Sequence, residues 1–197
     1  TGGIGKGIAL RLAKARVSVT IVGRNHVRGA QVVEEMGALS GPDATHRFIA
    51  CDAMLLANVP ECVRTYKEAN DKLDYLVLTQ GIATIQGRTE TAEGLDEKLA
   101  VHVYSRMAFV DHLLPLLRGS AGTRVLSVLS GRASTAPRVP EDPDLRENYP
   151  SRTRRTSRAS TTTCAWTALP KKTPAYHLFI YLLDLSTATG VSKFPFL

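Results

Sequence analysis

Apolar residues in this chain alternate between two arrangements, helical spacing and short unbroken runs. Ile4, Ile8 and Leu12, with Ala9 and Ala13 beside them, recur at helical spacing directly behind a glycine turn. The next segment, Arg16 to Val22, is rich in β-branched residues and ends at Gly23, which predicts a buried strand. A second helix is expected from Arg28 to Met36, stopped by Gly37, then a short strand from His46 to Cys51 and an amphipathic helix from Val59 to Lys72. Leu73 to Thr79 is apolar at nearly every position, the pattern of a strand covered on both faces in a parallel sheet. A long helix from Gly94 to Leu117 and a strand from Thr123 to Leu129 follow, the latter running into Ser130-Gly131. Strands alternating with helices predict an α/β fold on a doubly wound parallel sheet, whose ligands lie beyond the carboxyl ends of the strands.

After residue 148 this order dissolves. Ser151 to Thr163 is crowded with Ser, Thr and Arg and has no apolar period. His177 to Leu185 suits either a strand or a short helix, and nothing after it completes another βα unit. The chain is therefore divided into one α/β domain over residues 1–149 and an irregular, basic, Ser/Thr-rich tail over residues 150–197.

Composition adds exclusions. A chain of 197 residues, 44% hydrophobic and 22% charged, suits one soluble domain with a continuous core. The apolar runs Leu73–Thr79 and Tyr176–Leu183 fall well short of the roughly 20 residues of a membrane span, so no membrane partner is expected. Thr1-Gly2-Gly3 opens without Met, basic region or apolar region, which predicts no signal peptide and a chain cut at its amino end. Cys51, Cys62 and Cys164 are odd in number and lack CxxC spacing, arguing against a disulfide framework or a zinc site and for a reducing, cytoplasmic setting.

The net charge of +7 is local: residues 1–148 carry 18 Lys and Arg against 17 acids, residues 149–197 carry 7 against 1. Arg152, Arg154, Arg155 and Arg158 form a basic run, but no recognition element or interleaved aromatic residue accompanies them, so nucleic-acid binding is not expected. The abrupt loss of acidic residues near Tyr149 predicts a shifted reading frame or a mis-joined exon there; a disordered basic extension is the alternative.

Candidate chemistry begins at the first turn. A pyrophosphate can approach backbone only where side chains are absent, and a helix start then offers free N–H groups and a positive dipole end. Gly3-Ile4-Gly5 meets that need, although the spacing is not GxGxxG and a purely structural glycine turn accounts for it equally well. Continued through Lys6 to Ala13, however, the segment resembles the cofactor turn of the short-chain dehydrogenase/reductase family, GxxxGxG followed by a helix, with Gly3 and Gly5 as its last two glycines. The resemblance implies a Rossmann-like sheet whose first strand and first glycine lie before residue 1.

Other motifs arrive in the family's order over about residues 1–149. Cys51-Asp52-Ala53 matches the place where the family's Asp meets the adenine ring, and Leu73 to Gly81 is similar to its strand ending in NNAG, of which only Gly81 is retained. After the second strand of such a fold, an acid selects NAD and a cation selects NADP; here Val22-Gly23-Arg24-Asn25 has Arg24 and no acid, with Arg28 nearby. The resemblance thus implies NADP(H) in preference to NAD(H), held by Gly3, Ile4, Gly5, Arg24, Asn25, Asp52 and Gly81, with no metal.

Reduction of a carbonyl needs a proton donor at oxygen and a group that orients it. Arg124 to Gly131 resembles the family's strand ending at its catalytic Ser, placing that role on Ser130; Tyr149 stands where the catalytic Tyr is sought, after a loop insertion over Pro137 to Glu147. The family's helix Asn falls on His102, a proton relay or a packing histidine. YxxxK would place Lys at Thr153, so its cation is absent, and neither Arg152 nor Arg154 has the helical spacing to replace it. The expected function is hydride transfer between NADP(H) and a small carbonyl or alcohol substrate. The alternative is a catalytically impaired dinucleotide-binding or interaction protein of the same descent, and a homo-oligomer is compatible with both.

Overall fold

The computed structural model describes residues 2–82, 86–119, 122–129, 142, 144–147 and 149, together with the backbone of 180–181. In chain order the elements are α1 (Gly3–Lys14), β1 (Val19–Gly23), α2 (His26–Ser40), β2 (His46–Ala50), α3 (Asn58–Ala69) and β3 (Tyr75–Leu78). There follow α4 (Glu97–Leu99), a π-helical turn (Ala100–Tyr104), α5 (Ser105–Arg118), β4 (Arg124–Ser127) and β5 (Ile180–Tyr181). The expected α/β architecture is present: five parallel strands run in the order β2-β1-β5-β3-β4.

Alternation along each strand divides the core in two, as a doubly wound sheet requires. Val19, Ile21 and Val77 point to one side, where Ala9 and Ala13 of α1 and Val32 and Met36 of α2 cover them. Val22, Leu76 and Leu78 point to the other, against Val59, Cys62, Val63 and Tyr66 of α3 and Phe109, Leu113 and Leu117 of α5. The two layers hold the sheet in register and bring the carboxyl ends of β1, β2, β3 and β4 to one edge. Gly29 lets α2 approach β2: a Cβ there would overlap the Phe48 ring. Gly29→Ala should therefore lower stability by about 1–3 kcal/mol despite its better helix propensity, a loss readable as an earlier urea midpoint at unchanged slope.

Several boundaries differ from expectation by a few residues. The second helix runs through Gly37 to Ser40 and is followed by Gly41, whose φ of 78° is one that side chains rarely adopt. The helix expected over Gly94–Leu117 begins at Glu97, where Asp96 accepts from Lys98 N and Leu99 N, and it contains the π turn. More consequential is β5. The slot between β1 and β3 is the position of the first strand in the order 3-2-1-4-5-6 of a doubly wound fold, and here Ile180–Tyr181 fills it. Its apolar surroundings in sequence suit a strand buried on both faces, and the slot offers backbone hydrogen bonds on both sides.

Candidate functional site

The site is assembled at the carboxyl edge. At the glycine turn, Gly2 is the N-cap of α1 in extended conformation, no side chain caps the helix, and no acid lies in its first turn. Gly3 has φ of 59°, a conformation that side chains rarely adopt, and Gly5 is buried while Ile4 is exposed. The result is a helix start whose amides lack a protein side-chain acceptor and whose positive end is uncompensated, the physical requirement for holding an anion.

At the ends of β1 and β2, Arg24 and Asp52 face each other, Nη1 to Oδ2 at 3.8 Å, both partly exposed. Asp52 also accepts from Met54 N through Oδ1 at 3.0 Å, so its carboxylate is anchored while Arg24 is only loosely restrained. Asn25, expected to contact cofactor, has its Oδ1 engaged as the N-cap of α2, accepting from Arg28 N at 2.9 Å. Asn25 thereby fixes the turn that carries Arg24.

At the end of β3, Thr79 and Gln80 are buried, and Thr79 Oγ1 and Gln80 Oε1 have no hydrogen-bond partner among the described residues. Beyond them Gly81 lies against His102: a Cβ at Gly81 would come within 2.5 Å of the imidazole Cε1. His102 sits in the π turn with Nε2 at 3.0 Å from Ile82 N and 3.1 Å from Ile82 O, so the ring holds the backbone that follows β3. π turns recur at functional sites because they displace side chains from the helical stripe. Ser130, the expected end of β4, lies outside the described residues.

Tyr149 is brought to the amino end of the same helical run. Tyr104 donates to Asp144, and Asp142 accepts from Arg146 N and Glu147 N at 2.8 and 3.1 Å, so this segment folds back with Leu145 buried. Burial, and then Asp144, push the Tyr104 hydroxyl up to about 12. The Tyr149 hydroxyl then lies 2.9 Å from Lys98 Nζ, which also donates to Gln86 O and, at 3.0 Å, to Gly87 O. A cation does stand beside Tyr149, and α4 supplies it; Thr153, Arg152 and Arg154 lie outside the described residues.

Residues 1–139 match the sequence profile described as short chain dehydrogenase. This chain belongs to the short-chain dehydrogenase family. Among relatives, an oxidoreductase of Emericella nidulans, AN1596, is 36% identical over 151 residues, which is 76% of this chain and 45% of that protein. The chain thus spans under half the length of that relative. Among solved structures, a metagenomic short-chain oxidoreductase in complex with NADP superposes with a TM-score of 0.62 at 18% identity, covering 85% of this chain and 68% of that one. An NADH-dependent reductase A1-R' complexed with NAD gives 0.57 at 21%, covering 85% and 64%. At these identities the structural likeness establishes the fold.

Two charged side chains beside the candidate site were missed by sequence reasoning. Lys98 is 4% exposed and Arg106 is 1% exposed, yet both are charged. The signal existed: Lys98, His102 and Arg106 stand at intervals of four residues in a helix whose inner face is otherwise apolar, and long basic side chains on such a face need acceptors at a specific place.

Proposed function

We propose that this short-chain dehydrogenase chain binds a nicotinamide dinucleotide along the carboxyl edge, NADP(H) in preference to NAD(H). The whole protein would transfer hydride between NADP(H) and a small carbonyl or alcohol substrate. The observation that carries the reading is the uncapped, acid-free start of α1 together with Arg24 closing β1 where no acid stands. Relatives in this fold are described with NADP in one case and NAD in another, which supports the dinucleotide class. The residues fit such a ligand: the helix start suits a pyrophosphate, and Thr79 Oγ1 and Gln80 Oε1, which have no partner among the described residues, stand at the end of β3 beside the turn into Gly81. When bound, the dinucleotide supplies or accepts the hydride.

The chain's own residues would do the rest. Gly3, Ile4 and Gly5 present backbone to phosphate, Asp52 borders the adenine, and Gly81 keeps the floor flat while His102 pins it. Ser130 would orient the substrate oxygen and Tyr149 would give it a proton. As that proton leaves, the Lys98 ammonium already lies against the oxygen that becomes negative. A second reading, binding without turnover, draws on Thr153 standing where the family has Lys.

Arg24→Ala tests the cofactor assignment. The Arg24–Asp52 pair is partly exposed and worth under about 1 kcal/mol, so a 2′-phosphate with two charge-assisted hydrogen bonds outcompetes it. The substitution should cost roughly 1.5–3 kcal/mol of NADPH binding, about ten- to a hundredfold, and leave NADH within about threefold. Equal affinities for the two nucleotides in the parent chain, or tighter NADH binding that survives the substitution, would rule the assignment out.

A further inference from the structure

His102 meets the backbone after β3 in an ambiguous way. Its Nε2 lies 3.0 Å from Ile82 N and 3.1 Å from Ile82 O. One nitrogen therefore faces a donor and an acceptor of the same residue, and it can serve only one of them at a time. With the ring neutral and its hydrogen on Nδ1, Nε2 accepts from the Ile82 N–H. The Ile82 carbonyl, with two lone pairs, tolerates losing that contact better than an amide would. With the ring protonated, Nε2 carries a hydrogen, can donate only to Ile82 O, and is set N–H against N–H at Ile82 N.

The packing leaves no room to absorb that reversal locally. Gly81 lies so near the ring that an added Cβ would stand 2.5 Å from Cε1, 3.1 Å from Nδ1 and 3.2 Å from Nε2. The ring is carried by the π turn, between the buried Val101 and Val103. Turning the Ile82 peptide to suit a protonated ring must then move Gly81 as well. The ionisable groups flanking the ring on its own helical run are Lys98, Tyr104 and Arg106. Lys98 Nζ donates to Gln86 O, Gly87 O and Tyr149 Oη. Tyr104 donates to Asp144 and is raised to about 12. Arg106 donates to Ser127 Oγ, Val128 O and Gln80 O, and burial lowers it only to about 10. The end of β3 contributes Thr79, Gln80 and Gly81, none of which titrates. Among these side chains, His102 is the one whose ordinary titration falls between about pH 5 and 8.

Resting on the function proposed above, we propose that His102 is a pH-dependent positioning residue. Neutral, it holds Gly81 and Ile82 in the arrangement that receives the dinucleotide; protonated, it reverses its hydrogen bond to Ile82 and displaces that floor. The family's Asn, for which His102 stands, would offer a donor and an acceptor on separate atoms and so could hold both Ile82 groups at every pH. The imidazole makes the same grip conditional.

Calorimetric titration of the full chain with NADP+, repeated from about pH 8 to about pH 5.5, tests this against His102→Asn. The nucleotide's 2′-phosphate titrates alike in every variant, so the reading is the difference between the two profiles. The parent should lose about five- to tenfold more affinity on acidification than His102→Asn does. Parallel profiles, or a parent that gains affinity relative to the variant at low pH, overturn the proposal. Should His102→Asn fail to fold, magnetic resonance of the isotope-labelled parent decides: the Ile82 amide must shift with the midpoint of the His102 imidazole, and an Ile82 amide unmoved through that midpoint overturns the proposal. Absence of NADP+ binding at every pH would remove the proposed function, and the joint titration of His102 and Ile82 would still decide whether the contact reverses.

Discussion

Tyr149→Phe is expected to reduce any NADPH-dependent carbonyl reduction by about two to four orders of magnitude, the usual contribution of a positioned general acid, while NADPH binding stays within about threefold. The expectation follows from the hydroxyl's place against Lys98 Nζ at 2.9 Å, since the substitution removes the only proton the phenol has to give and leaves the ring in place. Lys98→Met should lower the rate in the same direction and by less, because the acid remains and only the charge beside it is removed. Substrate-saturation kinetics on a panel of small ketones and aldehydes separate the two effects. A purely architectural contact predicts the reverse: unchanged turnover in Tyr149→Phe, with about 1 kcal/mol of stability lost as the ammonium gives up one acceptor. Turnover surviving Tyr149→Phe would move the proton donor elsewhere in the protein.

The second large effect concerns the core beneath the site. Phe109 is fully enclosed on α5, in the cluster that includes Val63 of α3 and Leu76 and Leu78 of β3. Phe109→Ala removes most of an aromatic side chain and leaves a cavity that fixed neighbours cannot close, for a loss of about 3–5 kcal/mol. Against a typical total of about 5–15 kcal/mol this is a large fraction, so the urea midpoint should fall steeply at nearly unchanged slope. Phe109 lies in the core cluster and not at the carboxyl edge, so nucleotide binding should weaken only as far as folding does. A variant that stays as stable as the parent would mean that α5 does not pack on this sheet as described.

Much of the frame was legible because burial imposes periodicity. The apolar run Leu73–Thr79 became β3, covered on both faces, and Val59, Cys62, Val63 and Tyr66 recur at helical spacing because one face of α3 must cover that strand. Local punctuation was less informative. Gly37 and Gly41 are the same residue type, and only the second adopts a left-handed φ; what separates them is the tertiary position at which α2 must turn toward β2. The glycine turn, Arg24 and Asp52 lie where the sequence reading expected them, at strand ends that local pattern defines.

Long-range polar contacts were beyond that reading. Lys98 and Tyr149 are separated by 51 positions, and no period connects them; Arg106 reaches Gln80 and Val128 from another element altogether. Their trace in the sequence was negative, basic residues at positions where apolar ones were due. A buried cation reports that acceptors must exist without saying which, so the identity of the partners emerges only in three dimensions. The assignment of residues 177–185 between strand and short helix was open for a similar reason. What decides it is a gap in the sheet that residues near 20 and 77 create.

That gap also makes the sheet a long-range construction. Ile21 pairs with Ile180 and Val77 pairs with Ile180 from the other side, so β1 with β2 and β3 with β4 are joined through a strand about 100 positions beyond β3. Pairing over such a separation is slow because the loop must close before the contacts repay it. Until β5 docks, the inner edges of β1 and β3 lack the neighbour they have in the folded sheet, and exposed edges of apolar strands recruit whatever strand is nearby, so joining of the two halves should be the slow and aggregation-prone step of folding.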